Sequence, residues 1–112
     1  MKLLADATEE APFLTPEGAE RRVLAFGGAM MLVEFRFPAH VTASLHSHPH
    51  EQLGYVVSGE LDLIMEGRET VRLAAGGSYY VPPNARHGVV THQPTVLVDA
   101  FTPPREDFLE GS

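Results

Sequence analysis

The 112-residue sequence predicts an all-β protein, a double-stranded β-helix or jelly-roll barrel folded as a single domain. Three observations carry this. From Glu20 onward, short apolar runs are punctuated by turn residues every 8 to 12 positions or so, the spacing expected of a sandwich or barrel. Within those runs, side chains alternate: Met31, Val33, Phe35 and Phe37 share one parity, and Leu32, Glu34 and Arg36 share the other. No sustained helical period occurs before the C-terminal residues.

Residues 1–19 read as an N-terminal arm, with acids, Pro12, Pro16 and Gly18 among a few apolar residues, of which Phe13 and Leu14 can dock on the body. The single domain is expected over residues 20–112. Strands are predicted at Arg22 to Phe26, Ala29 to Phe37 and Val41 to His48, with Gly27-Gly28 and Pro38 between them. Leu53 to Ser58 and Glu60 to Glu66 are joined at Ser58-Gly59, and Glu66-Gly67-Arg68-Glu69 signals a hairpin into Thr70 to Leu73. Tyr79 to Val81, His87 to His92 and Thr95 to Thr102 complete the set. Beyond Pro103-Pro104, residues 105–109 suit one short helical turn, with Phe108 and Leu109 packing back.

Chemistry concentrates in His46-Ser47-His48-Pro49-His50-Glu51-Gln52. In an extended segment His46 and His48 point the same way, about 6 to 7 Å apart, so both imidazoles can reach one ion. Gln52 lies where a resumed strand sends its amide oxygen to the same point, and His87, opening a later strand, supplies the fourth donor. Three histidines and an amide oxygen suit a first-row divalent ion, and nickel, zinc, manganese and iron all remain open. A lone histidine among strands is usually just packed or solvated, but this spacing argues for ligands. His50 is expected beside the site rather than in it, because Pro49 breaks the register, and His40 and His92 are expected in solvated loops. Glu51 should face away from Gln52.

At these residues the sequence resembles the cupin superfamily. Its first motif, G-x5-H-x-H-x3-4-E-x6-G, falls on His46, His48, Gln52 and Gly59, with His40 in place of the opening glycine. Its second, G-x5-P-x-G-x2-H-x3-N, falls on Gly76, Pro82, Asn84 and His87, with Thr91 in place of the asparagine. Asn84 is a mild departure, since asparagine tolerates positive φ. Gln52 for glutamate removes the one anionic ligand. A dication held by neutral donors is a strong Lewis acid and takes a higher oxidation state less readily, which disfavours redox chemistry.

Composition narrows the partners. Fifteen acidic against eight basic residues, a formal charge of −7, argue against nucleic acid. Any anionic substrate must be caught by local cations. There are no cysteines, so disulfides and thiolate sites are excluded. No apolar run approaches a membrane span, and Asp6, Glu9 and Glu10 interrupt any signal-peptide core, so a cytoplasmic location is expected. Apolar residues in the arm and near Ala29 to Phe37 exceed what one small sheet face needs, which predicts a homodimer.

Asp99 interrupts the apolar run Val96 to Phe101 and needs a reason, because an unpartnered buried carboxylate is costly. With Phe101 on its face and Arg105 nearby, it either lines a polar cavity suited to a small hydroxylated acid or sits at a strand edge paired with a surface arginine. The pattern Asp99-x-Phe101-x3-Arg105, joined to the histidine motif, resembles the small single-domain cupins of pectin and alginate breakdown, which convert 4,5-unsaturated uronates to open-chain keto aldehydes. That resemblance implies Asp99 as acid/base, Phe101 as a pocket wall, Arg105 as a carboxylate clamp and one divalent ion as electrophile. A non-catalytic cupin that binds a small ligand and a metal-dependent dioxygenase are the alternatives.

Overall fold

The computed structural model describes residues 1–109 and shows two antiparallel sheets facing one another. The first has six strands in the order β1-β2-β3-β10-β5-β8: β1 Phe13–Leu14, β2 Glu20–Gly27, β3 Met30–Phe37, β5 Glu51–Ser58, β8 Ser78–Val81 and β10 Thr95–Thr102. The second has four in the order β4-β9-β6-β7: β4 Thr42–His46, β6 Glu60–Met65, β7 Val71–Ala74 and β9 His87–Thr91. This is the jelly-roll arrangement expected from the sequence.

Alternation decides which side chains meet between the sheets. Val56, Leu61, Leu63, Val89 and Leu97 form the main core with Phe37 and Val41, and Met31, Val33 and Phe101 form a second cluster against Phe108. Glu34 has the parity opposite to Val33 and Phe35 and is buried in a polar setting, in ion contact with Arg22 and Arg36.

Two departures from the motif have a backbone reason. His40, standing where the motif has glycine, takes φ 62°, and Asn84 takes φ 65°. Both positions need the left-handed conformation that glycine adopts most easily. At Gly59 (φ 87°) no other residue fits, because a Cβ there would lie 2.3 Å from the Pro94 carbonyl oxygen.

The arm is tied to the body: Phe13 pairs with Arg21, and Lys2 bridges Phe26. The short helix α1, Glu106–Leu109, forms as expected, and Phe108 packs on Phe35 and Phe101. Leu109 does not pack back but stays about half exposed, since a single helical turn can turn only one of two adjacent side chains inward. No helix among the described residues is long and apolar enough to cross a membrane.

Candidate metal centre and cavity

The expected extended segment stops at His46, so His46 and His48 are not neighbours on one strand. They converge nonetheless. His46 lies directly across from His87 in the β4-β9 pair, with ring centroids 4.5 Å apart, and His48 enters from the following loop at 5.0 Å from His87 and 5.9 Å from His46. One nitrogen from each ring lies within 4.8 Å of the others. Gln52, at the start of β5, points inward with its Oε1 3.0 Å from His48 Nε2.

Backbone carbonyls set the tautomers. His46 Nδ1–H donates to Ser44 O at 3.0 Å, His48 Nδ1–H to His50 O at 3.1 Å, and His87 Nδ1–H to Ala85 O at 2.9 Å. A carbonyl oxygen only accepts, so in each neutral ring the proton sits on Nδ1 and Nε2 presents a lone pair. Burial, helped by Arg105 and His87, lowers the His48 pKa to about 4, and burial likewise depresses that of His87. The consequence is a cluster of acceptors that no donor among the described residues faces. His48 Nε2 faces the Gln52 carbonyl oxygen, and the buried His87 Nε2 has no hydrogen-bond partner among the described residues. A divalent cation satisfies all of these lone pairs at once, and carbonyl-held imidazoles are the arrangement metal sites use to orient their ligands. The residues present therefore fit a metal. His50 accepts from His48 through its backbone oxygen, and its ring packs edge-on against His48 at 5.5 Å, its buried Nδ1 without a hydrogen-bond partner among the described residues. Glu51 turns outward to accept from Tyr80 Oη, and His92 pairs with Asp62 on the surface.

Across the cavity lies Asp99, 2% exposed, which places it inside rather than at a solvated strand edge. Its partner is not Arg105. Tyr79 Oη donates to Asp99 Oδ1 at 3.1 Å, and the Gln52 amide, on the same face of the sheet, favours the charged carboxylate as a second donor. Burial raises the Asp99 pKa to about 7 against these hydrogen bonds and the nearby Arg105 charge. Arg105 lies with its guanidinium 5.2 Å from the Phe101 ring centroid and 4.1 Å from that of Phe108, and its Nε and Nη2 both donate to the Asp107 carboxylate.

His46, His87, Gln52, Asp99, Phe101 and Arg105 line one cavity of about 400 Å³, large enough for a small sugar acid. Tyr79 and Arg21 also line it, and neither stands out in the sequence as a site residue. Tyr79 sits in an ordinary strand pattern. Arg21 is buried with its guanidinium 4.4 Å from the Phe13 ring centroid and 3.8 Å from that of Phe108. The parity Arg21 shares with Val23 was the one available signal that it turns inward.

A two-sheet antiparallel jelly roll with converging histidines at its mouth defines a class, and residues 33–101 match the cupin domain model: the chain belongs to the cupin family. Among particular relatives, it is 33% identical over 95 residues to the pectin degradation protein KdgF of Dickeya dadantii, covering 83% of this chain and 86% of that protein. The structure of KdgF from a Halomonas species superposes with a TM-score of 0.86 at 30% identity, covering 94% of this chain and 98% of that one. An RmlC-like cupin from Shewanella frigidimarina superposes at 0.90 with 32% identity, covering 96% of each chain.

Proposed function

We propose that this protein is a metal-dependent cupin enzyme that converts 4,5-unsaturated uronates, the products of pectin and alginate lyases, to their open-chain keto forms. The observation that carries the reading is a buried carboxylate, Asp99, with a pKa raised to about 7, facing a cluster of bare imidazole nitrogens across a cavity of about 400 Å³. Likeness to the pectin degradation protein KdgF supports the substrate class.

In this reading His46, His48, Gln52 and His87 hold one divalent ion. When bound, the ion supplies a Lewis acid that polarises a substrate oxygen and balances negative charge on it. The reaction is an isomerisation: the ring C–O bond at the anomeric carbon breaks, the anomeric hydroxyl gives up its proton as the aldehyde forms, and the alkene carbon gains a proton as the ketone forms. Asp99 is suited to carry that proton, since a carboxyl with a pKa near 7 exists in both states at neutral pH. Phe101 forms a wall of the pocket. Arg105 receives the substrate carboxylate in place of Asp107, which occupies two of its donors at 3.1 and 2.9 Å. The test is to mix the protein, loaded with nickel, zinc, manganese or iron(II) in turn, with lyase-generated unsaturated uronates. Loss of the conjugated-alkene absorbance is expected, and no loss with any of the four metals would remove the proposal.

We also propose a homodimer. Leu32, Leu53, Tyr55 and Tyr80 are exposed on neighbouring strands of the six-stranded sheet, with Leu53 opposite both Ala100 and Tyr80 in register, a continuous apolar face larger than scattered surface residues make. A monomeric mass by light scattering at micromolar concentration would refute it.

A further inference from the structure

The motif position at Gln52 holds an amide where a carboxylate is the usual residue, and its surroundings supply a reason. Its Oε1 faces His48 Nε2 at 3.0 Å. Gln52 shares a face of β5 with Gly54, the residue opposite Asp99, so the other end of the same amide, its NH₂, is on the side of the Asp99 carboxyl and acts to lower its pKa as a hydrogen-bond donor. A glutamate at 52 could still offer one oxygen to the histidine cluster, but the other oxygen would meet Asp99 with no hydrogen to donate, setting two buried carboxylates against each other.

Asp99 is held from a second side by an arrangement that depends on register. Tyr79, Gly54 and Asp99 lie in one row across three adjacent strands: Gly54 is opposite Tyr79 in the β5-β8 pair and opposite Asp99 in the β5-β10 pair. The Tyr79 side chain crosses the middle strand to reach Asp99 Oδ1 at 3.1 Å. It can do so because Gly54 has no side chain, since a Cβ there would lie 2.2 Å from Tyr79 Cζ.

We infer that Gln52 and Tyr79 are a pair of positioning residues for Asp99, with Gln52 an amide so that one side chain serves the metal cluster through its oxygen and the carboxyl through its nitrogen, and Gly54 the gap that seats Tyr79. The inference rests on the acid/base reading of Asp99 and goes beyond the ligand role of Gln52, because it makes two properties of that residue separable.

The experiment compares nickel-loaded wild type with Q52E, Y79F and G54A. Chelator competition should show Q52E holding nickel at least as tightly as wild type, since it adds an anionic ligand. Its turnover of unsaturated uronate per bound nickel should nevertheless fall about tenfold or more, the scale of one charge-assisted hydrogen bond lost and a repulsion gained. Y79F should lower kcat with KM and nickel content unchanged, and G54A should reproduce that effect by displacing the ring. A crystal structure of nickel-loaded Q52E should show the Asp99 carboxyl turned away from residue 52. Wild-type turnover per nickel in Q52E, or an Asp99 carboxyl unmoved in that structure, would overturn the inference. Because the structural arm needs no substrate, a wild type inert on uronates removes the proposed function while the position of Asp99 in Q52E still decides this one.

Discussion

The two walls of the cavity solve opposite problems. On the side of the four-stranded sheet, His46, His48 and His87 present lone pairs with no donor facing them among the described residues. On the side of the six-stranded sheet, a single carboxylate, Asp99, receives hydrogen bonds from Tyr79 and Gln52. The first wall is short of positive charge, and in the proposed reading a cation from outside the chain completes it. The second is satisfied from within the chain, by the groups that face the Asp99 carboxyl. Gln52 is the residue shared between them, which is why its chemistry cannot be read from the metal side alone.

If this contrast is right, each wall should fail in its own way. The largest effect belongs to the histidines: His48→Ala combined with His87→Ala should take metal content, measured by elemental analysis, from one ion per chain to none and abolish turnover. Stoichiometric metal in that variant would remove the assignment of these ligands. Asp99→Asn should do the reverse, leaving metal content intact while turnover on unsaturated uronates falls by roughly 10² to 10⁴, the usual contribution of general acid/base catalysis. Full activity at normal occupancy would return Asp99 to a structural role.

Arg105→Ala removes no proposed metal ligand and no hydrogen-bond donor to Asp99, although it withdraws a positive charge from beside both walls. It should raise KM about 10- to 100-fold with metal content unchanged, because a charge-assisted contact contributes about 1.5 to 3 kcal/mol. A change in kcat alone would argue against a carboxylate clamp.

The smallest effect is a pH dependence of stability in the metal-free protein. The folded-state pKa of Asp99, about 7, lies above its unfolded value, so the native state binds the proton more tightly and the stabilisation is full below the unfolded pKa. It is lost as pH rises toward 7. Relative to Asp99→Asn, wild type should therefore lose up to a few kcal/mol between about pH 4 and 7 in denaturant titrations. Parallel curves for the two proteins would show that Asp99 is not held in a proton-binding environment.

What the sequence made legible follows from distance along the chain. Alternation in Met31 to Phe37 and the turn residues between runs gave the strands, because both signals are local. The histidine spacing pointed to convergence even though the strand ends at His46 and the loop, not the pleat, delivers His48. Asn84 was expected at a positive φ and has one, while His40 shows that a histidine can hold a position where glycine is usual. Tyr79 and Arg21 were not legible because their importance comes from pairing between strands. Nothing near Tyr79 in sequence says that Gly54 and Asp99 will share its row, and nothing near Arg21 says that Phe13 and Phe108 will meet over it.

The position of β10 in the six-stranded sheet has a consequence for how the protein is made. Its residues, Thr95–Thr102, are the last strand to be synthesised among those described, yet β10 lies between β3 and β5 and joins the β1-β2-β3 half of the sheet to the β5-β8 half. Until they emerge from the ribosome, β3 and β5 each present an unpaired edge, and the chain carries its histidines with neither Asp99 nor Phe101 beside them. Closure of the six-stranded sheet and arrival of the proposed proton carrier are therefore one event, whereas all four strands of the histidine-bearing sheet precede β10 in the chain.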